Sequence, residues 1–89
     1  MMVGQRVRFS PGENGKMYDG TVIADAESES GVVYWTLLDV DCPECLTVRE
    51  LRRFLPVELL PPMDALGSDS QRVAILNPRK HAYFGLGSA

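Results

Sequence analysis

Cys42-Pro43-Glu44-Cys45 is the one stretch of this chain whose residue types and spacing belong to a recognised chemistry. Two thiols three positions apart on a turn can aim at a common centre, as in the knuckle of a zinc ribbon. A structural zinc takes four ligands, however, and beyond this pair the chain offers a single histidine, His81. Two knuckles from two subunits would complete a four-cysteine site, which leaves Cys42 and Cys45 as the metal candidates. A hairpin turn carrying two incidental thiols asks for fewer missing parts, so no metal or other cofactor is expected. A thioredoxin-type role requires a helix N-terminus in a βαβ setting that lowers the thiol pKa, and the pattern around these cysteines is not of that kind.

The remaining reactive residues do not assemble into a catalytic pattern. His81 lies between Lys80 and Ala82 and reads as a solvated tail residue, and no serine or cysteine nucleophile has a histidine and an acid organised around it. Asp39 and Asp41 share one strand face, with Asp25 as a further acid, and read as a solvated rim. Gly12, Gly15 and Gly20 are spaced like turns and lack the Lys-Ser/Thr of a phosphate cradle. The chain is therefore expected not to be an enzyme.

Charge sorts the candidate partners. The net charge is −3, and residues 21 to 48 carry Asp25, Glu27, Glu29, Asp39, Asp41 and Glu44 with no lysine or arginine. Arg49, Arg52 and Arg53 follow at once, and Arg6 and Arg8 precede. Nucleic-acid binders draw most of their non-specific affinity from a basic stripe. Here such a stripe would have to be built from Arg6, Arg8, Arg49, Arg52 and Arg53, with Arg79-Lys80-His81 in reserve, and held apart from the acidic centre. Nucleic acid is accordingly the second choice of partner. A protein, or a second copy of the chain, is the first.

The elements that must position these residues are mostly strands. Gln5 to Ser10 alternates Val7 and Phe9 with Arg6 and Arg8, the pattern of a half-buried strand. Residues 10 to 16 are dense in turn formers. Gly20 opens a second strand at a point where a sharp bend or a close backbone approach is expected, and Val22 and Ala24 should point inward. Ala26 to Gly31 is a polar turn, and Val32 to Asp41 is the longest strand candidate. Its odd face carries Trp35, Leu37, Asp39 and Asp41. Two carboxylates are costly to bury, so this face should be the outer one, leaving Trp35 and Leu37 exposed as an interface anchor. The competing reading is that parity slips at a bulge and Trp35 is core.

Leu46-Thr47-Val48 reads as a strand, followed by one helical turn and a short closing strand over 55–60. Its competitor is a helix from Thr47 to Leu55, because Thr47 and Glu50 have the spacing of a capping box and Val48, Leu51 and Leu55 fall on one helical face. Pro61-Pro62 marks a boundary. Residues 3–62 are thus expected to form a small, bent β-barrel, and 63–89 a C-terminal extension. Within that extension Gln71 to Leu76 is either a short helix or an edge strand. Tyr83 and Phe84 among glycines suit a tail that docks on its own barrel or on a neighbouring subunit.

At 89 residues the chain is one domain. A domain of that size buries only about 60% of its unfolded surface, which makes a homo-oligomer a natural expectation. Hydrophobic content of 45% with 24% charged residues argues against disorder. No apolar run approaches a membrane span and the first residues lack the features of a secretory signal, so the chain is expected to be cytoplasmic, with its cysteines as thiols or metal ligands rather than a disulfide.

Val3-Gly4-Gln5-Arg6-Val7-Arg8, Gly20-Thr21-Val22-Ile23, Tyr34 to Asp41, Thr47-Val48 and Glu50-Leu51 together resemble the motif order of SH3-like and Tudor-like barrels, over about residues 3 to 60. The resemblance implies a mostly β fold, a small five-stranded SH3-like barrel with a short helical turn. Two subfamilies come closest. The Tudor-like module at the end of some bacterial helicases implies docking on another protein. The plasmid-borne type II dihydrofolate reductase, a tetramer of such barrels around one pore, implies a small enzyme. That family binds folate and NADPH with a Val-Gln-Ile-Tyr strand. The nearest stretch here, Leu46-Thr47-Val48-Arg49, lacks the Gln and the Tyr, so no active residue carries over. Both subfamilies would set the chain in bacteria, the second on a mobile element. The expectation is a non-enzymatic protein-interaction module that self-assembles, with Trp35, Leu37, Asp39 and Asp41 as its contact residues.

Overall fold

The computed structural model describes residues 2–12, 14–54 and 71–87. The expected closing strand over 55–60, the Pro61-Pro62 boundary between the two expected regions and the linker to Ser70 lie outside them, as does Leu55 of the expected helical face.

Among the described residues five strands and one helix run in the order β1 Arg6–Phe9, β2 Tyr18–Ser28, β3 Gly31–Leu38, α1 Val48–Phe54, β4 Val73–Leu76 and β5 Tyr83–Gly87. The strands form one antiparallel sheet in the spatial order β4-β3-β2-β1-β5. Alternation decides which way β1 faces, with Val7 and Phe9 fully buried and Arg6 and Arg8 on the other side. Tyr18 and Val22 of β2 and Leu38 of β3 join them, with Ala74 and Leu76 of β4, in a core on the concave face of the sheet.

β4 and β5 occupy opposite edges of the sheet yet follow each other in the chain, joined by residues 77–82. In a flat sheet four inter-strand gaps would hold those edges about 19 Å apart. The connector is not extended, because the backbone N–H groups of Lys80 and His81 both donate to Asn77 O, at 3.0 and 2.8 Å. The sheet therefore curls, bringing its edges toward each other without pairing them: β4 and β5 are not hydrogen-bonded to one another. The architecture is a five-stranded, mostly β sheet compatible with a small barrel. Among the described residues the C-terminal third supplies both edge strands, β5 beside β1 and β4 beside β3, and the segment left open between helix and strand is strand β4.

Gly20 allows a close approach between β2 and β3. A Cβ there would stand 2.7 Å from Leu37 O and 2.9 Å from Thr36 Cγ2, so only glycine lets β2 and β3 lie as they do. The β2–β3 turn ends on Gly31, whose φ of 106° is a left-handed conformation that suits glycine.

The helix at Thr47 prevails over the expected strand at 46–48, and its cap explains why. Thr47 N–H donates to Glu50 Oε2 (2.7 Å) while Glu50 N–H donates to Thr47 Oγ1 (3.2 Å), the reciprocal pair of a capping box. Val48 and Leu51 face inward from the helix. They cover Trp35 and Val73 in a second apolar cluster on the convex face, with Ile23, Ala24, Ala26 and Leu37 packed around it. Among the described residues no helix is long and apolar enough to cross a membrane.

Candidate functional site

The face expected to present Trp35 and Leu37 is covered. Trp35 is 4% exposed beneath α1, so it cannot anchor a partner, and Leu37 packs against the same cluster. The two strand faces of β3 keep their parity, with Tyr34 and Leu38 on the concave core and Trp35 and Leu37 on the other side. The register irregularity lies on β2, between Val22 and Ala24. It sends Val22 to the concave core and Ala24, expected to join it, to the convex cluster. Trp35 is core because a helix covers the second face, not because β3 slips.

The acidic rim is tied to the arginines instead of standing apart from them. Arg6 grips Asp39 with both terminal nitrogens, at 2.8 and 2.6 Å, and also donates to Thr21 Oγ1 at 3.1 Å. Arg8 grips Asp19 at 2.6 and 3.2 Å. Cross-strand register causes this, since Arg6 lies opposite Thr21 and Arg8 opposite Asp19. The hydrogen bonds from Arg6 and Arg8 hold the Asp39 and Asp19 carboxyls below the usual range. Two arginines of the expected basic stripe, Arg6 and Arg8, thus carry carboxylate partners. Arg49, Arg52 and Arg53 lie on α1 with exposed side chains. Asp41 is exposed in the loop after β3.

Cys42 and Cys45, expected as thiols or metal ligands, are joined as a disulfide. Cys42 is fully buried in the concave core and its N–H donates to Gln71 O at 2.8 Å. Cys45 is half-buried. Among the described residues no cluster of three or more His, Cys, Asp or Glu is placed to hold a metal ion. His81, expected to be solvated, is held in place: its ring meets Phe9 edge-on at 6.1 Å, and its Nδ1 accepts the Asn77 N–H at 3.3 Å.

Several of these fixed groups line a cleft of about 290 Å³. Glu44, Cys45 and Leu46 of the β3–α1 loop form one wall and Pro11 adds to it. Val73, Ala74 and Ile75 of β4 form the other, and Asn77, Lys80 and His81 close the end. Successive side chains of a strand point to opposite faces. Val33 of β3 also lines it, so a cleft touched by three consecutive residues of β4 wraps that strand from the side paired with β3 to the opposite edge, which has no strand partner among the described residues. Leu46 and Ile75 are partly exposed apolar groups at the rim. The volume lies at the low end for small-molecule pockets, enough for a few side chains.

Glu44 fixes the loop wall. It accepts hydrogen bonds from Asn14 Nδ2 and, at 3.3 Å, from the Tyr18 hydroxyl. Its own backbone N–H, then Asn14, keep its carboxyl below the usual range. Gly12 leaves room for it, since a Cβ there would meet Glu44 Cγ at 3.1 Å. Sequence reasoning missed this cleft because its walls come from four separate segments, and the only local signal was the concentration of turn formers at 10–16.

The site defines a class only as far as the fold does: among the described residues, a small antiparallel β sheet, curled and capped by one helix, with a narrow groove beside an edge that has no strand partner. No protein-family model matches this chain, and neither curated proteins nor solved structures yield a match.

Proposed function

We propose that this chain is a non-enzymatic protein-interaction module, an SH3-like barrel in its finer classification, that binds an extended segment of another protein along the edge of β4. The observation that carries the reading is the groove touched by three consecutive β4 residues. A free strand edge offers main-chain hydrogen bonds to an incoming strand, and alternate side chains of that strand fall into the pockets beside it. Leu46 and Ile75 supply apolar contact, and Lys80 and His81 at one end favour a segment with a carboxylate there. Nucleic acid is the weaker alternative, since Arg6 and Arg8 carry carboxylate partners.

The test is selection from a library of displayed linear peptides, followed by amide exchange of the complex. Selected peptides should slow exchange at Val73 to Leu76, and Ile75→Glu should weaken them at least ~10-fold, the loss of one apolar contact with charge repulsion added. Peptides that protect other strands, or no enrichment, would refute the assignment. Enrichment of the chain's own segments would make the partner a second copy.

A further inference from the structure

We infer that the Cys42–Cys45 disulfide is a thiol-exchange site, attacked at Cys45 by a small-molecule or protein thiol, and that its opening reshapes the β4 cleft. The regulatory half of this inference rests on reading that cleft as a binding groove; the chemical half does not.

The two sulfurs are unequal. Cys42 is fully buried in the concave core, whereas Cys45 is half-buried and lines the cleft. A thiolate entering the cleft meets Cys45 first, and attack at sulfur depends on access. The incoming thiolate forms a bond to Cys45 Sγ as the Cys42–Cys45 bond breaks, and the electron pair leaves on Cys42 Sγ, which takes a proton from water. A second thiol then attacks the reductant's own sulfur in the mixed disulfide. Cys45 leaves as a thiolate and is protonated in turn. Two thiols are oxidised to one disulfide and one protein disulfide becomes two thiols.

The bridge spans residues only three apart in sequence. Closing so short a loop removes little freedom from the unfolded chain, so a global staple is a weak explanation for it. Its neighbours fit a local role. Cys42 stays anchored after reduction by the core and by Gln71 O. Thr47 stays anchored by its capping box with Glu50. Between those anchors 43–46 loses the bridge and keeps the Cys45 N–H to Cys42 O bond, at 3.0 Å, and the bonds of Glu44 to Asn14 and Tyr18. Opening the bridge loosens Glu44, Cys45 and Leu46, which are one wall of the cleft.

Three readings on the full chain, all without peptide, test this. In glutathione buffers graded from oxidising to reducing, acid quenching and alkylation should show the bridge opening while circular dichroism stays native. A bridge that opens only in denaturant overturns the proposal. Cys42→Ser, which keeps Cys45, should react with an aromatic disulfide reagent at least ~10-fold faster than Cys45→Ser, and equal or reversed rates overturn the assignment of the attacked sulfur. Should either variant fail to fold, the wild-type mixed disulfide with glutathione, trapped and mapped by mass spectrometry, should lie on Cys45; glutathione on Cys42 overturns it. Finally, amides of Glu44, Leu46, Ile75 and His81 should shift between the two forms while those of β1 stay put. Unchanged cleft amides would overturn the coupling. If these hold and no peptide binds in either form, the groove reading fails alone.

Discussion

At the residue scale the strongest polar features are the two arginine–carboxylate pairs that stitch the outer face of β1 to β2 and to the end of β3. Both pairs are solvent-facing, so screening limits their contribution, but their pH signature has a definite sign. Asp39 and Asp19 are held below their ordinary value of 3.8, chiefly by hydrogen bonds from Arg6 and Arg8. Glu50 and Glu44 are held below their ordinary 4.5, Glu50 first by the Thr47 backbone amide. A carboxyl more acidic in the folded chain than in the unfolded one contributes stability above the unfolded pKa and loses it as pH falls through the folded pKa. Melting temperature should therefore hold near neutrality and begin to fall below about pH 4.5, continuing downward as the aspartates protonate. In Arg6→Gln combined with Arg8→Gln, scanned by calorimetry across that range, the acid-side slope should be shallower; an unchanged slope would contradict the role given to these pairs. None of this pairing was legible in the sequence, because the partners of Arg6 and Arg8 are set by cross-strand register and lie 33 and 11 positions away.

At the scale of elements, the capping box was legible and decisive. Thr47 and Glu50 satisfy each other's backbone N–H groups, which a β-strand at 46–48 would leave to other partners. Thr47→Ala should destabilise the protein by about 1 kcal/mol, measured by urea unfolding, and free Trp35 from part of its cover. The accompanying readout is a red shift of the tryptophan fluorescence in the partly unfolded range; a loss below about 0.3 kcal/mol would mean that packing of Val48 and Leu51 alone holds the helix. β1 was equally legible, because strict alternation of Val7 and Phe9 with arginines has one strand reading. β4 was not, because Val73-Ala74-Ile75-Leu76 is a short continuous apolar run that suits a helix segment or a buried strand alike. Trp35 had two readings, anchor and core, and it is core for a reason the sequence did not give: Asp39 and Asp41 are exposed, but α1 covers the earlier part of the same face.

At the scale of the whole molecule, the C-terminal residues are structural. β5 pairs with β1 from Phe9–Tyr83 to Arg6–Gly87, so removing residues 83–89 would strip one side of β1 and leave Val7 and Phe9 without cover from Tyr83, which packs on their core. Such a truncation should lose cooperative thermal unfolding and gain light scattering through the newly opened edge; a sharp, unshifted transition would show that β5 is dispensable. Phe84, 63% exposed on the outer face, is not expected to matter for this, and Phe84→Ser should leave the transition within about ±0.5 kcal/mol.

The curl that seats β4 and β5 on opposite edges also sets an order of events during synthesis. β1 can pair with β2 once residue 28 has been made, but its second neighbour is complete only when Gly87 has been added. β3 likewise waits for residues 73–76. Until then neither β1 nor β3 has its outer partner among the described strands, so the three-stranded intermediate is most exposed to wrong pairing just before β4 and β5 arrive.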